Sequence, residues 1–244
     1  MRSLGRVTAI ETKLFLRDLA TPLLALALPT TIMVVIGLIP ATREPSETFG
    51  GMAFIDVFAP SLVVITLATL GVNTLPIRLA TYREKGVLRR LATTPVHPAN
   101  LLIAQLVVNF VAALAGIALL VLVGHLAFDV PLPQHPGGFV AACLFGGGAL
   151  FALGLLAAAT AKTARMATAI ALPIFFLSMF FGGVYLPRFM LPDLVVQLGA
   201  YLPPGVQALQ DAWTGTGPEP LHLVIMAMVA AAAAAIAAKL FRWE

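Results

Sequence analysis

Charge is what this sequence has least of. Only 11% of its 244 residues are charged, 60% are hydrophobic and the mean hydropathy is +0.97; a soluble domain is about one quarter charged. That scarcity excludes a water-soluble core of this size and makes lipid the solvent for most of the chain. Cysteine is nearly missing as well. Cys143 stands alone in an apolar stretch, which rules out an internal disulfide framework and reads as a small buried hydrophobe. No GxxxxGK[ST] loop occurs, so the chain has no phosphate cradle for ATP. His97, His125, His135 and His222 lack both an HExxH arrangement and the close partners of a metal site. The glycines of GGGALFALG have no preceding strand and do not read as a nucleotide site. The opening MRSLGRVTAIETKLFLRD is too charged for the apolar region of a signal peptide and has no cleavage motif before Leu19, so none is expected. The net charge of +4 sits at the edges of apolar runs, the mark of topology control rather than of nucleic-acid binding.

What the chain does have is apolar runs of spanning length, about 20 residues each. Six qualify: 19–40, with Pro22 near its start and Pro29 as a kink, then 54–76, 99–124, 138–160, 166–186 and the alanine-rich 221–240. The pattern predicts an all-α polytopic membrane protein, a single transmembrane domain over 1–244 with both termini on one side. If that side is the cytoplasm, it holds 13 of the 15 basic residues, leaving Arg43 and Arg188 outside, while 7 of the 11 acids lie outside or at that edge. Short loops biased in this way predict both ends to be cytoplasmic.

Three further segments stand out. Leu4, Val7, Ile10 and Leu14 fall on one helical face with Arg6, Glu11, Lys13 and Arg17 on others, which predicts an interfacial helix over 1–18; the competing reading is a charged tail that only sets topology. Prolines at 187, 192, 203 and 204 fence an apolar stretch too short to span, which predicts partial-depth helices over 187–212, or else a surface loop with a hydrophobic cap. Gly146, Gly147, Gly148 and Gly154 imply close backbone approach or, alternatively, flexibility in a moving part.

An ion-coupled carrier or channel would place ionisable groups at mid-membrane depth. The span interiors offer only mild polarity, including Thr66, Asn73 and Asn109, and Asp56 belongs to a first turn. Proton or ion relays are therefore poorly supported, whereas a pathway for an amphipathic substrate is compatible with this composition.

The exception to the scarcity of charge is YREKGVLRRLATTPVHP, residues 82–98, with five basic side chains, counting His97 with Arg83, Lys85, Arg89 and Arg90, and one acid between spans two and three. Val87, Leu88 and Leu91 form an apolar face, Gly86 allows a bend and Thr93–Thr94–Pro95 stops the helix. A short amphipathic helix over 82–94, held between two spans, can act as a lever. Its basicity alone would equally suit a loop that holds anionic headgroups.

This segment, REKG-x-LRRL-x-TTPV-x-P from Arg83 to Pro98, resembles the charged stretch and cytoplasmic coupling helix of type-2 ATP-binding-cassette (ABC-2) permeases. Leu155–Val195, LLAAATAKTARMATAIALPIFFLSMFFGGVYLPRFMLPDLV, followed by Pro203–Pro204, resembles the family's short cytoplasmic turn, apolar span, small-residue pair and proline-bounded partial helices. Lys162–Arg165, Gly182–Gly183, Leu186–Pro187 and Leu191–Pro192 take those roles, while Phe181 or Gly182 stands where a serine often precedes the glycine in the family. The resemblance implies a non-catalytic permease subunit of the bacterial plasma membrane. It implies pairing with a second permease, identical or different, and with separate ATPase subunits that bind ATP and Mg; the chain itself needs no cofactor. Membrane lipids are the remaining partner, and nucleic acid is not one. The implied coupling residues are Arg83, Glu84, Lys85, Gly86, Leu88, Arg89 and Leu91, supported by Arg6 and Lys13. Pathway candidates are Thr66, Asn73, Asn109, Phe176, Met179, Phe180 and Tyr185. Small drug or antibiotic efflux permeases look most similar, which implies an amphipathic or lipid-like cargo; polysaccharide and lipid-linked glycan exporters share the layout.

Overall fold

A helix that is apolar all round can be satisfied only by burial or by lipid, and the helices of this chain divide between those two solutions. The computed structural model describes residues 2–18, 23–92, 99–185 and 190–241, with only the backbone of Arg2, Leu24, Arg89, Leu91 and Ala92. The helices are α1 (Arg2–Arg17), α2 (Leu28–Gly37, entered through a π-helical turn Leu23–Ala27), α3 (Phe54–Glu84) and α4 (Val87–Ala92). They continue with α5 (Ala99–Phe128), α6 (Pro136–Thr160), α7 (Ala164–Phe181), α8 (Asp193–Ala200), α9 (Val206–Thr214) and α10 (Pro220–Leu240). Five of them, α3, α5, α6, α7 and α10, are long and apolar enough to cross a membrane, and the chain is an all-α polytopic membrane protein. Leu19–Pro22, at the start of the first predicted span, lie outside the described residues.

Helix α3 is the central post. In its most apolar stretch 78% of the residues are buried, against 22% in α7 and in α10, and it touches α2, α5, α6, α7 and α9. It runs past Pro76 because a π-helical turn, Thr69–Thr74, changes the hydrogen-bond register just before that proline. The missing proline N–H then falls where the α ladder restarts. Pro29 likewise sits in the first turn of α2, directly after a π-helical turn.

Close approach of α6 to α3 depends on glycine. A methyl at Gly154 would overlap the Gly71 carbonyl oxygen, and one at Gly146 would overlap that of Pro204, so at these positions the glycines serve packing. Helix α10 lies along α6.

The bundle has two distinguishable ends. At one, which we call the terminal end, Leu88, Leu101, Ala159, Ala237 and Phe241 form a small core with Val7 and Tyr82 packed against it. At the far end Phe139 packs edge-on against Trp213, and Ser61 Oγ donates to the Gly182 carbonyl at 3.0 Å. There α8 and α9 occupy the region of the predicted partial-depth helices; Leu186–Phe189 lie outside the described residues.

Helix α1 keeps part of its predicted apolar face outside the bundle. Ile10 (59% exposed) and Leu14 (43%) point away from the bundle, whereas Glu11 and Phe15 are buried. The helix docks on α5 through a boundary between its apolar and polar arcs, because that boundary meets polar groups of α3 and α5.

Candidate functional site

The predicted charged segment is two pieces. Tyr82, Arg83 and Glu84 are the last turn of α3, and α4 begins after Lys85–Gly86. Arg83 Nη1 donates to the Ala158 carbonyl at 2.8 Å and also to that of Ala161, and its guanidinium lies 4.7 Å from the Phe241 ring centroid. The final carbonyls of α6 lack helical partners, and the negative end of the helix dipole favours a cation there. Glu84 Oε2 accepts from the Ala164 N–H at 3.1 Å, in the first turn of α7, where an acid is favoured for the converse reason. Thr163 Oγ1 completes this cap by accepting from the Met166 N–H at 3.2 Å. The pair Arg83–Glu84 therefore clamps the turn between α6 and α7 to the end of α3.

Gly86 has φ +68, a left-handed conformation that costs glycine little, and it turns the chain from α3 into α4. Leu88 is buried among Leu101, Ala159, Ala237 and Phe241. Lys85 and Arg90 are exposed. The side chains of Arg89 and Leu91, and all of Thr93–Pro98 with the predicted helix stop, lie outside the described residues. Arg6 and Lys13 are exposed on α1 and form no ion pair among the described residues. Sequence reasoning thus grouped as one charged surface residues that the fold divides into an internal clamp and an outward rim.

A second cluster was not anticipated. Tyr82 Oη donates to Glu11 Oε2 at 2.9 Å, Gln105 Nε2 donates to the same oxygen, and Asn109 Nδ2 donates to Gln105 Oε1 at 3.1 Å. These contacts join α1, α3 and α5. Burial pushes the Glu11 carboxyl above its ordinary value, opposed by the Tyr82 hydrogen bond, the nearby Arg78 charge and Gln105. The signal available in the sequence was spacing: Val7, Glu11 and Phe15 recur every four residues, which puts the acid within an apolar stripe.

The pathway candidates separate into three groups. Thr66, Asn109 and Met179 are buried; the Thr66 hydroxyl donates to the Leu62 carbonyl at 2.9 Å and its methyl packs beside Gly116. Phe176 and Tyr185 are exposed and stack with centroids 6.3 Å apart, while half-buried Phe180 meets Phe181 edge-on. Asn73 lines an open groove of about 540 Å³ at the terminal end, with Leu14, Asp18, Thr74, Ile77, Arg78, Thr81 and Tyr82. The structure does not bring these three groups into one cavity.

Among the described residues no three His, Cys, Asp or Glu side chains could hold a metal ion, and Cys143 is a free buried thiol. The chain carries no ATPase motif. No curated protein matches the chain. The family model described as ABC-2 type transporter matches residues 2–210, which takes in α1 through most of α9. A match over that much of the chain makes this polytopic helical bundle a member of the ABC-2 type transporter family.

Proposed function

We propose that the chain is the membrane subunit of an ATP-driven exporter, working with a second permease subunit and with separate ATPase subunits that bind ATP and Mg. In this reading the chain crosses the bacterial plasma membrane six times, with Leu19–Pro40 as the first crossing and both termini cytoplasmic. The distribution of basic residues supports that orientation. The course of the α2 segment, in which Leu26 lies against Gly116 and Gly37 against Phe128 at the far end of α5, supports a first crossing there.

The observation that carries the reading is the clamp. Arg83 and Glu84 tie the end of α3 to the α6–α7 turn, and Leu88 anchors α4 on the end of α10. A push on α4 from a cytoplasmic ATPase is thereby delivered to four long helices together. Lys85 and Arg90 present the contact surface, Arg89 and Leu91 of the same segment are further coupling residues in this reading, Gly86 is the corner, and α1, through Arg6 and Lys13, lies against the membrane surface beside it. Asn73, Phe176, Phe180 and Tyr185 lie on the route of a hydrophobic or amphipathic cargo, a drug, antibiotic or lipid-like molecule; α8 and α9 dip into the outer leaflet and shape its exit. Thr66, Asn109 and Met179, the buried pathway candidates, lie within the bundle.

The test is co-purification of the chain with a soluble ATPase that carries the GxxxxGK[ST] phosphate-binding loop, together with ATP hydrolysis in proteoliposomes. Leu88→Asp and Glu84→Ala should lower stimulated hydrolysis while the folded permease persists. Unchanged complex formation and unchanged hydrolysis in both variants would remove the coupling role.

A further inference from the structure

The groove between α1 and the inner half of α3 holds a charged side chain whose capacity for hydrogen bonding is mostly unused. Asn73 and Thr74, Ile77 and Arg78, Thr81 and Tyr82 recur four residues apart and form one stripe on α3; Leu14 and Asp18 of α1 complete the groove. Arg78 Nη2 donates to Asp18 Oδ2 at 2.9 Å, and the guanidinium lies 5.5 Å from the Phe15 ring centroid. Its Nη1 is closed off from solvent and has no hydrogen-bond partner among the described residues. The amide of Asn73 and the hydroxyl of Thr74 also form no hydrogen bond there, whereas Thr81 donates its hydroxyl proton to the Ile77 carbonyl at 2.7 Å.

An arginine inside a lipid-embedded bundle is costly and is retained where it has a partner. The ion-pair partner of Arg78 among the described residues is a carboxylate at the more exposed rim, the Asp18 side chain being 47% exposed and that of Arg78 14% exposed, and the buried Glu11 carboxyl lies close enough to feel its charge. A guanidinium that still reaches the groove, 14% exposed, next to an unengaged amide and hydroxyl, is a donor set that suits a carboxylate or phosphate head. The rim is apolar on the α1 side, where Leu14 and Ile10 face outward, so a hydrocarbon body could lie along it while the head entered the groove.

We propose that this groove binds the oxyanion head of an amphiphile, a carboxylate or a phosphate monoanion, with Arg78 as its anchor, Asn73 and Thr74 as auxiliary donors, and Asp18 as an internal carboxylate that competes for the same guanidinium. The site deepens the exporter reading and rests on it only for the statement that the ligand is cargo; binding itself requires no ATPase.

The experiment uses the full chain in nanodiscs of zwitterionic phosphatidylcholine, with binding of radiolabelled dodecanoate and dodecanol measured at equilibrium. Dodecanoate should bind, and Arg78→Gln should weaken it roughly 30-fold or more while leaving dodecanol unaffected, as for loss of one member of a buried charge pair. Arg78→Lys, which keeps the charge but not the fork, should fall between. Asp18→Asn should tighten dodecanoate, because it removes the competitor. A purely structural Arg78–Asp18 pair predicts the opposite for Asp18→Asn, a loss of thermal stability with no gain in affinity. Equal binding of acid and alcohol, or no tightening in Asp18→Asn, would overturn the proposal even if Arg78→Gln failed to fold. A second arm asks whether phosphatidylglycerol retained through purification is displaced by dodecanoate. Displacement identifies a lipid headgroup as the source of the oxyanion, and dodecanoate binding without retained lipid identifies a free amphiphile; absence of both sinks the site. Failure of ATPase co-purification with dodecanoate binding intact would count against the exporter reading alone.

Discussion

Gly154 of α6 lies directly against the carbonyl oxygen of Gly71, inside the π-helical turn of α3, with no room between them for a methyl group. This contact seats α6 on the central helix at the point where the backbone of α3 changes register. Without a hydrophobic force to join helices in lipid, such close packing holds the bundle together.

Gly154→Ala should therefore destabilise the bundle by about 1–3 kcal/mol, the usual range for overpacking. Gly148→Ala, whose new methyl would lie 4.0 Å from the Ala230 methyl, should change stability by less than about 0.5 kcal/mol. Thermal unfolding of both variants in one detergent makes the comparison. Equal melting temperatures would mean that α6 can slide away from α3.

The clamp makes a second expectation quantitative. In a double-mutant cycle on Arg83→Gln and Phe241→Leu, the coupling energy should be about 0.5–2 kcal/mol, the range for a cation over a ring in a partly desolvated site. A coupling of zero would reduce the 4.7 Å approach to mere proximity.

Gly86 tests the corner. Nothing lies within 4 Å of a methyl built at this residue, so only its φ of +68 resists substitution. Gly86→Ala should cost about 1–2 kcal/mol, and Gly86→Asn less, because asparagine visits the left-handed region more readily. Stimulated ATP hydrolysis should follow the same order, with alanine lowest.

Glu11 carries a pH signature. Its carboxyl is raised by burial, so the folded state holds the proton more tightly than the unfolded chain does. The stability this contributes is complete below the ordinary value of 4.5 and is lost as pH rises through the folded value. Glu11→Gln should thus be at least as stable as the parent at neutral pH, with the difference shrinking toward pH about 4.5. Melting curves across that interval decide it; a variant less stable at neutral pH and equal at low pH would reverse the sign.

Six crossings can be separated from five by parity. In a Cys143→Ala background, cysteines at Lys13, Lys162 and Lys239 should label from the cytoplasmic face with a membrane-impermeant maleimide, and one at Thr48 from the outer face. Labelling of positions 13 and 239 from opposite faces would exclude the six-span topology.

Much of this protein is legible in one dimension. Apolar run length predicted the long helices, because a lipid-spanning segment must be uniformly apolar over a fixed thickness. The side on which basic residues accumulate predicted the orientation proposed above, and REKG-x-LRRL marked the segment that turns from α3 into α4. What periodicity could not reveal is what each face meets. Lipid and protein interiors are equally apolar, so nothing local told α3, the buried post, from α7 and α10, which keep most of their surface outside. For the same reason Glu11 read as a surface acid until Tyr82 and Gln105, distant in sequence, closed around it. Arg83 and Glu84 read as an outward handle until the carbonyls at the end of α6 and the Ala164 N–H of α7 claimed them. Sequence determined which segments form the long apolar helices; only the tertiary structure decided that Glu11 turns inward, because an ionic group can be buried only where distant parts of the chain supply its partners.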